Sequence, residues 1–159
     1  MFSHFIERKY LKTIALEIRK IIDQTSDPLS RMISAQVSLK IKPDKWSKKE
    51  ILGHLIDSAA NNHQRFVRAG YGAAMAFPPY EQNEWVRFQR YQEADWQNLV
   101  NLWTAYNHHL CNILAGLPAE VLSAPCNIGK AEPAALEFVI KDYLRHLRHH
   151  LSQILEKEI

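Results

Sequence analysis

Apolar residues recur at three- and four-residue steps along four long stretches of this chain, the spacing of one buried helix face. Phe5, Ile6, Leu11, Ile14, Ile18, Ile21 and Ile22 predict a first helix over about residues 4–25. "TSDP" at 25–28 is expected to end it, because the residue before a proline avoids the helical region. A short second helix is expected between Pro28 and Pro43. Ser47 followed by Glu50 forms a capping box that opens the next long helix. That helix buries Ile51, Leu52, Leu55, Ile56, Ala59 and Phe66 and stops at Gly70 and Gly72. Another spans roughly 93–116, with Trp96, Leu99, Val100, Trp103, Tyr106, Leu110 and Ile113 on one side, and Gly116 and Pro118 beyond it. The last is expected to start at Pro133, a good first-turn residue, and to run to about 157. No stretch shows sustained strand-like alternation.

Four long amphipathic helices predict an all-α four-helix bundle in a single domain, residues 1–159. The 71–92 connection between the second and third long helices is long enough to cross the bundle end to end, which lets those two helices run parallel. Pro78-Pro79 argues against regular structure there, yet the segment carries Tyr80, Trp85, Phe88 and Tyr91. So aromatic a loop is expected to pack down or to serve the site.

Composition narrows the function classes. The chain is 159 residues long, 47% apolar, with a net charge of +3. Lys and Arg are dispersed, so no nucleic-acid partner is expected. There is no apolar run of 18 residues, hence no expected membrane span, and the N-terminal stretch lacks the apolar core of a signal peptide. Cys111 and Cys126 make neither a disulfide framework nor a Cys-x-x-Cys site; a reducing cytoplasm is the default compartment.

The candidate chemistry lies in "DYLRHLRHHLSQI", residues 142–154. Leu136, Ile140, Tyr143, Leu144, Leu147, Leu151 and Ile154 form one apolar sector of the last helix. His150 falls at the edge of that sector and His146 one turn back at its margin, while His149 points toward water. His146 and His150 are an i, i+4 pair and can reach one metal ion from the same side, but such a site needs a third ligand. On spacing alone, a basic solvated face or a hydrogen-bonded histidine at the core margin is the favoured reading over a metal site. His54 is the candidate third ligand. It shares a stripe with Ser58, Asn61 and Arg65, which by pattern is an ordinary wet face; the alternative is a polar cleft between helices. His63 is expected to be structural, and His108 and His109, 100° apart, do not suit one ion.

"WSKKEILGHLIDSAANNHQRFVRA", then "PPYEQNEWVRFQRY", then "YLRHLRHHLSQIL" resemble, in order, the motifs of the DinB-like superfamily, and within it the YfiT-type metal-dependent hydrolases and thiol transferases. The resemblance covers residues from about 46 to 155. It implies an up-down-down-up bundle and a divalent metal, zinc or nickel, held by His54, His146 and His150. It also implies a small-molecule substrate, a low-molecular-weight thiol as candidate cosubstrate, and a homodimer, for which the crossover aromatics are a candidate contact. The expected function is activation of water or of a thiol, in a hydrolase or a thiol S-transferase. The alternative is a non-catalytic or stress-induced bundle in which the ion only staples helices. Asp57, Asn61, Asp142 and Gln153 are candidates to orient the ligands. Arg65 could bind an anionic group, and Tyr80, Glu84 and Trp85 are lid candidates. The two cysteines are expected to be inert.

Overall fold

The computed structural model describes residues 2–72, 75–129 and 132–159. The side chains of residues 2–8, His4, Phe5 and Ile6 among them, lie outside that description. Four long helices carry the fold: α1 (Phe2–Ser30), α3 (Lys48–Gly70), α5 (Trp96–Gly116) and α6 (Leu136–Leu155). Two short ones sit in connections, α2 (Ser34–Ser38) and α4 (Gln82–Phe88). Short strands β1 (Met75–Ala76), β2 (Pro125–Asn127) and β3 (Ala134–Ala135) complete the chain.

Helix directions follow from the paired side chains. Along α1 and α5, Ser26 meets Thr104 while Arg19 reaches Asn112, so the two run antiparallel. Along α1 and α6, Tyr10 lies near Lys141 and Glu17 pairs with Arg148, so these are parallel. Lys48 pairs with Glu156 and Phe66 packs on Tyr143, which makes α3 and α6 antiparallel. The order is therefore up-down-down-up, with α1 and α3 on one diagonal. The long 71–95 connection is what allows α3 and α5 to be parallel. The core between them includes Leu11, Ile18, Ile22, Leu52, Leu55, Phe66, Trp103, Leu110, Ile140 and Leu151, all at most 1% exposed. The seven apolar residues predicted for the last helix are all buried, and Val139 joins them.

Four boundaries differ from expectation, each for a tertiary reason. First, α1 does not stop at Thr25 but carries Pro28 inside its last turn. A proline there costs the helix about 3 kcal/mol or more through its missing N–H and ring clash. Burial opposes that cost: Leu29 is fully buried, and its carbonyl accepts a hydrogen bond from Trp96 Nε1 at 2.7 Å. The Thr25 and Ser26 hydroxyls bond back to the carbonyls of Ile21 and Ile22, both at 2.7 Å. Second, the crossover is not irregular throughout, because helix α4 follows the two prolines. Third, α5 starts at Trp96, where the Asp95 carboxylate caps the amide of Asn98 at 2.9 Å. Residues Tyr91–Glu93 form a separate 3-10 turn. Fourth, α6 starts at Leu136 instead of Pro133, because Ala134 and Ala135 are held in a strand against Pro125 and Cys126.

The capping box is formed as the sequence predicts: Ser47 Oγ accepts from the amide of Glu50, and the Glu50 carboxylate from the amide of Ser47. Gly72, at φ +75°, makes the left-handed turn after α3. β1 pairs in parallel with β2, tying the start of the crossover to the loop before α6. Among the described residues, no helix is long and apolar enough to cross a membrane.

Candidate metal centre

α3 and α6 bring His54, His146 and His150 together. Each offers a ring nitrogen, and these atoms all lie within 4.8 Å of one another. His54 Nε2 and His146 Nε2 are 2.9 Å apart, and the three rings meet edge to face with centroids 4.5–4.9 Å apart. The plain reading of the His54 stripe as a wet face is wrong. His54 is 0% exposed, Ser58 is buried, and Asn61 and Arg65 are half-buried. The stripe lines the seam between α3 and α6, which periodicity cannot distinguish from a solvated face when a polar cleft replaces water.

Each imidazole is held differently. His150 donates from Nδ1 to Gln153 Oε1 at 2.8 Å, which fixes its tautomer and leaves Nε2 free. The Gln153 amide nitrogen donates in turn to His149, which is exposed. His146 Nδ1 lies 3.4 Å from Ser58 Oγ. His54 packs against Trp46 at a tilt of 42°, ring centroids 4.9 Å apart, and its Nδ1 is buried with no partner among the described residues.

Burial disfavours the protonated rings. It pushes His54 down to about 3, with neighbouring His146 and His150 adding to the effect, and His146 down to about 4. His150 is lowered too, mainly by burial, with Gln153 opposing. Three neutral, converging imidazoles near neutral pH are the donor set a divalent transition ion takes. They fit such an ion well. Without one, two ring nitrogens 2.9 Å apart must share a single proton in a buried seam.

The other sequence candidates divide. Gln153 touches a histidine; Asp57, Asn61 and Asp142 do not. Asp57 Oδ1 accepts from the Tyr91 hydroxyl at 2.7 Å and from Gln89 Nε2, so this carboxylate anchors the crossover to α3. Asn61 bonds back to the Asp57 carbonyl. Asp142 pairs with the exposed Arg145 at 2.6 Å. Arg65 and Tyr80 line a cavity of about 230 Å³ that also reaches His146. Trp85 packs on Tyr80, centroids 5.0 Å apart, and is 38% exposed; Glu84 forms a surface pair with Arg87. A second, larger cavity of about 880 Å³ opens beside His150 and Gln153 and is walled by Trp46, Ile51, Leu39 and Ile41.

His63 meets the Tyr106 hydroxyl at 3.0 Å and the His109 ring, and His108 faces Arg19 and Asp23, away from the triad. Both cysteines are buried, and burial raises both thiols, Cys111 to about 11. Sequence reasoning placed Ser58 on the His54 stripe but missed Trp46 as a neighbour of the triad, and the roles of Gly53, Gln89 and Tyr91 in holding the crossover. The glycine directly before His54 was the available signal: a Cβ there would collide with the Tyr91 ring.

The model of the DinB superfamily matches residues 17–154. The chain belongs to the DinB superfamily. Its similarity to named proteins is distant but spans nearly the whole chain. A Bacillus cereus (strain ATCC 10987 / NRS 248) protein named "Putative metal-dependent hydrolase" is 22% identical over 149 residues, covering 94% of this chain and 86% of that protein. A protein of Bacillus anthracis (strain CDC 684 / NRRL 3495) with the same name shows the same identity and coverage. Among solved structures, YfiT from Bacillus subtilis superposes with a TM-score of 0.77 at 20% identity, over 94% of this chain and 84% of that one. It is described as a probable metal-dependent hydrolase with an unusual four-helix bundle topology. At that identity the likeness shows the fold, and the four-helix bundle is shared.

Proposed function

We propose that this chain is a metal-dependent enzyme in which His54, His146 and His150 hold a divalent ion, zinc or nickel, to activate water or a low-molecular-weight thiol. The observation that carries the reading is the convergence of three ring nitrogens within 4.8 Å in a seam where burial keeps the imidazoles neutral. The names of the relatives, metal-dependent hydrolases, support the same class. A divalent ion bound by neutral ligands keeps its full charge and so acidifies a water or thiol placed on it.

The chain's own residues supply the rest. Gln153 holds the His150 ring in the tautomer that leaves Nε2 unprotonated as the ligand nitrogen. Trp46 covers one side of His54 and keeps bulk water from it. Two cavities meet the triad, one at His146 and one at His150, so small molecules can approach from two directions. That access favours an enzyme over an ion that merely staples α3 to α6. The exposed Phe88 and half-exposed Trp85 are proposed as the dimer contact, which sedimentation over a range of concentrations tests.

The test of the metal reading is direct. Purified protein, stripped and reloaded with zinc or nickel, should bind one ion per chain tightly, and His146→Ala should lose that binding. Equal binding by the two proteins, or none by either, would falsify it. Unfolding of the stripped protein would instead favour the structural ion. A panel of ester, amide and thiol-plus-electrophile substrates then separates hydrolysis from transfer.

A further inference from the structure

Arg65 is a half-buried cation that forms no ion pair among the described residues. It stands on α3 eleven residues, about three turns, beyond His54 on the same stripe. Its Nη1 makes one long hydrogen bond, 3.3 Å, to the Asn62 side chain, and its Nε is buried without a partner among the described residues. No carboxylate pairs with it among the described residues. Asp142, the carboxylate lining the same cavity, is engaged by exposed Arg145 at 2.6 Å. Burial opposes the charge on Arg65; Tyr80, Cys126 and Asp142 offset part of that effect, and the Phe77 ring lies 5.8 Å from the guanidinium carbon. A buried guanidinium N–H left without an acceptor is costly, and a fold retains one most readily where a ligand completes it.

The cavity supplies what such a ligand needs. With Arg65, the polar residues Tyr80, Asn62, Ser58, Asp142 and His146 line it. Tyr80 keeps its proton, since burial pushes the phenol up to about 12, so this lining residue retains a donor. A guanidinium binds a carboxylate through two parallel N–H···O bonds, a fit that no neutral group matches.

We propose that the Arg65 cavity binds a carboxylate of the substrate, so that the substrate is a small organic anion whose reacting group lies toward His146. The assignment rests on the metal reading above only for the direction in which the reacting group points; the anion subsite stands on Arg65 itself.

Glutarate, with its neutral diamide glutaramide as control, is the probe. Titrated calorimetrically into the zinc-loaded full chain, glutarate should bind and glutaramide should not. Arg65→Gln should weaken glutarate at least about tenfold while zinc affinity stays the same. Arg65→Lys should recover only part of the loss, because a lysine lacks the fork. No binding by the wild type, or equal binding by Arg65→Gln, overturns the proposal; the latter would place the anion on the ion. Should Arg65→Gln not fold, phenylglyoxal labelling of the wild type followed by mass spectrometry decides the question. Arg65 should be protected by glutarate and not by glutaramide, and equal labelling with either overturns the proposal. The zinc titration reads the metal site separately, so failure of one reading is distinguishable from failure of the other.

Discussion

The ring of Tyr91 occupies the space a side chain on Gly53 would need: a Cβ built on Gly53 would lie 2.1 Å from Tyr91 Cδ2. The Tyr91 hydroxyl then donates to Asp57, one helical turn further along α3. Gly53 and Asp57 thus clamp the end of the crossover onto the helix that carries His54 between them.

Gly53→Ala should therefore destabilise the protein by about 1–3 kcal/mol, because the added methyl overpacks a filled site, despite alanine's better helix propensity. Gly116→Ala, where a Cβ meets nothing within 4 Å, serves as the control and should be neutral or mildly stabilising. Urea unfolding of both variants checks this, and a Gly53→Ala midpoint at or above wild type would refute the clamp.

Gln153 should matter to metal binding more than any carboxylate nearby. Removing the acceptor of the His150 Nδ1–H bond frees the ring to rotate, and loss of such a partner commonly costs 10–100-fold in affinity, about 1.4–2.7 kcal/mol. Gln153→Ala should weaken zinc by that factor, whereas Asp142→Ala and His149→Ala should change it little. Competition against a chromophoric chelator provides the measurement.

The metal-free protein should lose stability in mild acid. The unfolded chain takes up protons at His54 and His146 as pH falls through about 6.5, while the folded chain resists until about 3 and about 4. The unfolded state thus binds more protons in that window. The stability contribution is complete above about pH 6.5 and declines as pH falls toward 4. Urea midpoints with a chelator present, at pH 7.5, 5.5 and 4.5, should fall more steeply for wild type than for His146→Gln. Parallel curves would count against a buried neutral triad.

Tyr143 and Asn107 form a buried pair across α6 and α5, the hydroxyl donating to Asn107 Oδ1, with both residues at most 2% exposed. Tyr143→Phe leaves that carbonyl oxygen without its donor and should cost about 1–3 kcal/mol. Thermal unfolding, monitored by circular dichroism, tests this, and an unchanged midpoint would mean that water or a rotated amide replaces the bond.

Much of this molecule is legible in local pattern. The 3.6-residue recurrence of apolar side chains marked the four long helices, since a helix face must be buried wherever the chain folds. The capping box at Ser47 and Glu50 set the start of α3 because its hydrogen bonds are local. The i, i+4 spacing of His146 and His150 placed both rings on one side of α6, and His149 outside it, by helix geometry alone.

Tertiary structure decided whatever depends on partners distant in sequence. The sequence by itself determined that His54 points away from the apolar face of α3; only the packing of α6 against that stripe determined that this side is buried. α1 runs through Pro28 because Trp96, sixty-eight positions later, bonds to the Leu29 carbonyl. Asp57 serves Tyr91 and Gln89 and not a histidine because the crossover folds back over α3. Periodicity reports which side of a helix differs from the others. Whether a polar side faces water, another helix or a cavity depends on what packs there, and that is a property of the assembled bundle.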